Sequence, residues 1–198
     1  MKFKDATRYE FRQFGRDLTA ARDAFAALGS GIEQEPSRET YIVTRLNIEA
    51  NVKIRKKRLE VKGLTGRLQL LEQWQPILNT KLPISADELE NVVAPALGID
   101  VDLDGATEFD KDALMAFAED QPALAAVVVD KQRTLFDLGG CEAEFCELEI
   151  DGDKLQTLAI EAVDADAANA VLQRTRLIEG RNESYPAFLQ RRLFSTAG

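Results

Sequence analysis

Three charged pairs, Lys53/Arg55, Lys131/Arg133 and Glu147/Glu149, each sit two residues apart on stretches that alternate polar and aliphatic side chains. Side chains two apart on a strand share a face, so each stretch carries its charges on one side and its aliphatics on the other. Guanidinium forks match phosphate oxygens and ammonium groups add point charge, while carboxylates suit hard divalent ions. A sheet closed on itself with this polar face inward makes a tunnel lined by both signs, a way to hold a polyphosphate and its metal. Like charges crowd at Lys53, Arg55, Arg58 and Lys62, which is unfavourable across a ladder and cheaper beside a polyanion. The plain alternative is a wet sheet face whose charges pair with one another.

Composition removes several chemistries. The chain has 198 residues, 45% of them hydrophobic, enough for a single domain (1–198) with its own core. It has no histidine, which takes away the usual general base, the usual zinc ligand and every Ser–His or Cys–His nucleophile pair. Any metal then sits on Asp and Glu oxygens, which makes Mg²⁺ or Mn²⁺ the candidates. No GxxxxGK[ST] loop and no GxGxxG turn is present. A net charge of −9 argues against an extended basic face for nucleic acid, though it leaves room for a local basic pocket. No apolar run reaches the roughly 20 residues of a bilayer span, and the polar stretch from Met1 to Phe14 does not read as a signal peptide. The expectation is a cytoplasmic protein with Cys141 and Cys146 reduced and structural.

The elements that must position these charges are mostly strands. Thr7 to Phe14 alternates as a strand, and Asp17 to Leu28 follows as an amphipathic helix closed by Gly29. Glu39–Leu46, Asn51–Leu64 and Leu68–Leu82 read as extended, the last interrupted by Pro76. Ser85 and Glu88 form a capping box for a helix over Ala86–Leu97 that ends at Gly98. An acidic loop at Asp100–Asp110 and a short helix at Lys111–Glu119 lead to three strands, Ala123–Leu138, Glu142–Ile150 and Lys154–Val163, joined by tight turns. Helices close the chain at Asp164–Leu177 and Ser184–Phe194.

Register follows from keeping each face uniform. A two-residue turn at Lys56-Lys57 sets Arg55 against Arg58, Lys53 against Glu60 and Asn51 against Lys62, with Val52, Ile54, Leu59 and Val61 on the reverse. Lys-Lys is poor chemistry for a primed turn, so an irregular connection is expected there. Three-residue connections at Gly139–Cys141 and Asp151–Asp153 set Arg133 against Glu147 and Lys131 against Glu149, with Glu161 and Thr157 on the same face. Phe25, Phe136, Phe145, Phe188 and Met115 are expected in the core.

The succession NVKIRKKRLEVKGL (51–64), VVVDKQR (127–133), ELEIDGDKLQTLAIEAVDAD (147–166) and ESYPAFL (183–189) resembles the CYTH superfamily, the triphosphate tunnel metalloenzymes. That family includes thiamine triphosphatases, inorganic triphosphatases and class IV adenylate cyclases. The resemblance implies an α+β fold, a closed antiparallel eight-stranded β-barrel with helices outside, in which basic residues hold a triphosphate and acidic residues hold Mg²⁺ or Mn²⁺. It matches Lys53 and Arg55 to the first basic pair, Lys62 to the following lysine, Lys131 and Arg133 to the later basic pair, and Glu161 to the end of the acidic strand. The family's opening Glu-x-Glu-x-Lys strand is degenerate here. Direct alignment puts Tyr9, Phe11 and Gln13 at the motif positions, whereas a one-residue shift aims Glu10 and Arg12 inward. Ala159 stands where a partner acid of Glu161 belongs.

If the chain is an enzyme, the expectation from this resemblance together with the strand faces is that Arg12, Lys53, Arg55, Arg58, Lys62, Lys131 and Arg133 bind substrate, and that Glu10, Glu147, Glu149 and Glu161 hold the ion for metal-assisted attack of water on a terminal phosphoryl group. A second reading is a module that grips a small anionic phosphate ligand without hydrolysing it. A third is adenylate cyclisation, with Trp74, Tyr41 or Tyr185 as a base-stacking aromatic. No nucleic acid or membrane partner is expected, and homodimers occur among such barrels by the same resemblance.

Overall fold

A computed structural model describes residues 6–103, 105–177 and 180–195. The first five residues of the polar N-terminal stretch and residue 104 of the acidic loop lie outside them. In chain order the elements are β1 (Arg8–Gly15), α1 (Thr19–Ala26), β2 (Gly31–Glu33), β3 (Ser37–Thr44), β4 (Ala50–Arg55), β5 (Arg58–Leu68), β6 (Leu71–Lys81) and β7 (Ile84–Ser85). They continue with α2 (Ala86–Glu88), a π-turn (Leu89–Val93), α3 (Ala94–Leu97), β8 (Glu108–Phe109), α4 (Lys111–Asp120), β9 (Leu124–Asp137), β10 (Cys141–Ile150), β11 (Asp153–Ala162), α5 (Ala165–Arg174) and α6 (Tyr185–Phe194).

Strand order is β10-β11-β1-β6-β5-β4-β3-β9, and β9 pairs back onto β10, so eight antiparallel strands close into a barrel with β2 added beside β9. Among the described residues no helix is long and apolar enough to cross a membrane. The chain divides into two compact units, one of Met1–Arg38, Leu64–Gln75 and Val129–Ser184, the other of Glu39–Gly63, Pro76–Val128 and Tyr185–Gly198.

In the first unit the apolar strand face carries Phe11, Phe136, Ala143, Phe145, Leu158 and Ile160, which pack with Phe25 of α1 and with Ala168, Val171 and Leu172 of α5. Burying such a face under helices stabilises by about 25 cal/mol per Å² of apolar surface, and that term sets which side of the sheet points away from the lumen. The alternative left open at β1 is thereby decided. Phe11 is fully buried in this cluster with Tyr9 packed against it, and Glu10 and Arg12 occupy the opposite, inner face.

The second unit has its own core, in which Ile42, Val52, Ile54, Leu59 and Val61 pack with Leu89, Val93 and Leu97 of the segment after Ser85 and with Leu114 and Ala118 of α4. Both halves of the Ser85–Glu88 capping box are made, and Gly98 ends that segment in the left-handed region (φ 72°). Residues Glu108–Phe109, expected as loop, pair with Ile84–Ser85. β6 runs unbroken through Pro76.

The hairpin registers divide into one confirmed and two corrected. β4 and β5 pair as Arg55 with Arg58, Lys53 with Glu60 and Asn51 with Lys62. Their connection is a regular two-residue primed turn, not an irregular one, because Lys56 (φ 49°) and Lys57 (φ 60°) both take positive φ. The two connections expected to have three residues each have two. Gly139 and Gly140 (φ 74° and 98°) and Asp151 and Gly152 (φ 54° and 78°) supply the paired positive φ of primed turns. Arg133 therefore faces Cys146 and Lys131 faces Leu148, while Glu147 faces Gln132 and Glu149 faces Asp130. A shift of one residue moves every side chain to the other face. Glu147 and Glu149 consequently share the face of Ala143 and Phe145, and Glu161 shares that of Glu142 and Glu144.

Candidate functional site: two clusters of paired charges

In the first unit the inner face of β1, β9, β10 and β11 gathers Arg8, Glu10, Arg12, Arg133, Glu144 and Glu161. Arg12 lies opposite Ala159, whose other neighbour is Glu144, and the small alanine leaves room for the guanidinium to reach across. Arg12 Nε donates to Glu10 Oε1 at 2.8 Å and Nη1 to Glu144 Oε1 at 3.2 Å, with Glu161 Oε1 at 3.8 Å from Nη2. Arg8 Nη1 holds the other oxygen of Glu161 at 2.9 Å, and Arg133 Nη1 lies 3.9 Å from Glu144 Oε2. The Arg12 side chain keeps only 6% of its exposure.

The strand beneath Arg12 is fixed from outside the ladder. Its N–H donates to Asn182 Oδ1 at 2.7 Å and its carbonyl accepts from Glu183 N–H at 2.8 Å. Asn182 Nδ2 donates to the carbonyls of Glu10 and Leu70.

Nearby, Glu72 stands opposite Glu10. Burial pushes its carboxyl up and neighbouring Glu10 adds to the shift, against the N–H of Trp74 and the charge of Arg67. Trp74 is 4% exposed and donates its indole N–H to Glu72 Oε2 at 3.3 Å. Cys146 lies between Arg133 and Thr157 on the same face, and burial pushes its thiol up to about 12. Cys141 falls on the apolar face, and both thiols are free.

Lys131 is 6% exposed. It helps to line a cavity of about 540 Å³ together with Arg16, Arg38, Glu147, Glu149 and Lys154. Arg38 makes a two-pronged ion pair with Asp130 at 2.7 and 2.8 Å at this cavity. Glu147 and Glu149 line the same cavity as Lys131 but lie on the opposite strand face from Glu10 and Glu161, the acids expected to share an ion with them.

The second unit builds its cluster on the β3–β4–β5 ladder. Tyr41 pairs with Lys53 and Lys53 with Glu60. Glu39, fully buried, accepts from Tyr41 Oη at 2.9 Å and from Lys53 Nζ at 3.3 Å, with Arg55 Nη1 at 3.7 Å. Arg55 also clasps Glu60 at 2.9 Å. Burial alone would lower the Arg55 value, yet Glu60 and Glu39 outweigh it and hold the guanidinium charged. Likewise burial would raise Glu60, but Lys53 and Arg55 pull its carboxyl below the usual range. Tyr41 stacks on Tyr185 with ring centroids 5.0 Å apart. Arg58 is turned to Asn79, donating to its side-chain oxygen at 2.7 Å and to its carbonyl, and Lys62 stands across from Asn51.

Sequence reasoning did not reach Glu39, Glu144 or Arg8. Glu39 and Tyr41 show the i,i+2 spacing used elsewhere, and the Gly139-Gly140 turn signal alone puts Glu144 on the face of Arg133.

The carboxylates of the first unit do not fit a divalent ion in this arrangement. Mg²⁺ and Ca²⁺ take carboxylate oxygens at about 2.0–2.6 Å with little competition. Here Glu10, Glu144 and Glu161 each spend an oxygen on the guanidinium of Arg12, and Glu161 spends its second on Arg8. Among the described residues no three acidic or thiol side chains are grouped to hold an ion.

No protein-family profile and no curated protein sequence matches the chain. Solved structures do. The PH1012 protein of Pyrococcus horikoshii is 14% identical at a TM-score of 0.49, covering 88% of this chain and 94% of that one. A candidate adenylate cyclase of Bacillus halodurans is 13% identical at 0.47, covering 96% and 100%. A Hippeastrum candidate adenylyl cyclase, described as having a dominant triphosphatase activity, is 12% identical at 0.48, covering 93% and 95%.

Proposed function

We propose that the barrel binds a triphosphate or a comparable small organic polyphosphate through the cations on its inner strand faces. The observation that carries this reading is the burial of those cations: Lys131 retains 6% exposure, and the side chains of Lys53 and Arg133 retain 14% and 15%. Lysine and arginine are seldom so enclosed without a partner, and a fold that holds them on a strand face has already met their desolvation cost. Phosphate oxygens are the natural exchange partner for the carboxylates that now pair with Lys53 and Arg133, since guanidinium forks bind either group in two-pronged fashion.

In the first unit the proposed contacts are Lys131 and Arg133; in the second, taken by itself, they are Lys53, Arg55, Arg58 and Lys62. Binding without hydrolysis is the form favoured by the geometry, because a metal-assisted reaction would need carboxylates that Arg12 now occupies. The supporting sequence feature is the same one: the degenerate opening strand puts an arginine among the acids.

The test is calorimetric binding of tripolyphosphate and of nucleoside triphosphates, run beside a phosphate-release assay with Mg²⁺ and Mn²⁺. Arg133→Ala and Arg55→Ala should each weaken binding about tenfold or more, the usual worth of a hydrogen bond to a charged group, with no phosphate released by the wild type. An unchanged affinity in the double variant removes these cations from the function. Metal-dependent release that is lost in that variant establishes the enzyme instead.

A further inference from the structure

We propose that Arg12 is the resident cation of the Glu10–Glu144–Glu161 cluster, doing the charge-balancing work that the sequence resemblance gives to Mg²⁺ or Mn²⁺. In consequence the wild-type cluster has no divalent-ion affinity of its own, and deleting the guanidinium creates one. No bound phosphate enters this argument, so it stands apart from the proposed ligand.

The geometry carries it. Three carboxylates from three strands point at one guanidinium, at 2.8, 3.2 and 3.8 Å. Arg8 and Arg133 complete the set from its edges at 2.9 and 3.9 Å, giving three arginines against three glutamates. A divalent ion entering the cluster would face a guanidinium within contact range. Neither group can yield cheaply. Ordered hydrogen bonds from Asn182 and Glu183 fix the backbone of Arg12, and the guanidinium is too buried to swing into water without stranding three acids. Ala159, between Arg12 and Glu144 across the ladder, supplies the space that a larger side chain would fill. Residue 12 is therefore both the filler and the counter-ion.

Removing the guanidinium leaves three half-buried carboxylates facing an empty, arginine-sized space. Like charges gathered in this way repel and seek a hard cation.

Mn²⁺ binding to the full chain, followed by electron paramagnetic resonance of the free ion and by calorimetry, tests this without phosphate. Arg12→Ala should bind Mn²⁺ about tenfold or more tightly than wild type, the scale on which a ligand's immediate surroundings tune metal affinity. Arg12→Lys, which keeps the charge, should behave like wild type. Thermal melting adds a second readout: Mn²⁺ should raise the Tm of Arg12→Ala and leave that of wild type unchanged. If Arg12→Ala does not fold alone, Arg12→Ala with Glu144→Gln relieves the repulsion and takes its place. Equal Mn²⁺ affinity in wild type and Arg12→Ala overturns the proposal, as does wild-type binding that is lost in Glu161→Gln. A variant that folds and gains no Mn²⁺ affinity overturns it too.

Discussion

Two glutamates of similar burial respond to their surroundings in opposite senses, and the difference can be measured. Glu60 is held below the ordinary value of 4.5 because, although burial disfavours its charge, Lys53 and Arg55 outweigh that. A depressed carboxyl contributes stability that is present above its unfolded value and lost as pH falls through its folded one. Glu60→Gln should therefore lower the Tm at pH 7, and the gap to wild type should close as the pH drops below about 4. Glu72 is raised above 4.5, first by burial and then by Glu10, against Trp74 and Arg67. Its stabilising form is the protonated one, fully present below 4.5 and lost as pH rises through the folded value. Glu72→Gln should thus raise the Tm at pH 7 and have little effect near pH 4. Melting curves across this range check both, and a shift of the same sign for the two variants would contradict the assigned causes. Cys146 gives a third readout. With its thiol pushed up to about 12 by burial, it should stay unreactive toward a disulfide reagent at pH 8 until the chain is unfolded.

At the scale of elements, the hairpins show where local chemistry and charge matching disagree. The Lys56-Lys57 turn holds two branched-free but bulky residues in the left-handed region (φ 49° and 60°), a conformation that costs roughly 1–2 kcal/mol per residue outside glycine and asparagine. Replacing the pair by Asn-Gly should stabilise the protein by ~1 kcal/mol, read as a rise in Tm of about 2–4 °C for a chain of this size. The carbonyl of residue 57 would still accept from Leu82 N–H. A lower Tm would mean that the lysine side chains contribute more than their backbone costs. Alternation made this hairpin legible in advance: with Val52, Ile54, Leu59 and Val61 all apolar, only one register keeps a face uniform. At the β9–β10 hairpin the opposite charges of Arg133 and Glu147 point to a three-residue connection, but Gly139-Gly140, the stronger signal for a two-residue turn, sets the register. Turn geometry fixes parity; a salt bridge between flexible side chains does not. The pairs that make up the first unit's cluster lie beyond such local patterns for a different reason. Glu144 meets Arg12 from 132 positions along the chain, and it is the pairing of β1 onto β11, beside β10, that brings them to one face.

For the whole molecule, the net charge sets how a polyanion arrives. At −9 the chain repels it at long range, while Arg12, Lys53, Arg55 and Arg133 are paired with carboxylates, so their field fades within a short distance. Raising ionic strength from about 10 to 100 mM shortens the screening length from about 30 to 10 Å. That screens the distant repulsion before it weakens the close contacts. The association rate for tripolyphosphate should therefore stay level or rise over this range, and the dissociation rate should increase as phosphate contacts at Lys131 and Arg133 are screened. Ordinary electrostatic steering would do the reverse, with association falling steeply as salt is added. Trp74, the chain's single tryptophan, sits buried beside Glu72 on the inner face and provides the stopped-flow signal. An association rate that drops about tenfold across the same salt range would mean that uncompensated positive field reaches the approaching ligand. The carboxylate balance inferred for these cations would then be wrong in solution, whatever the affinity.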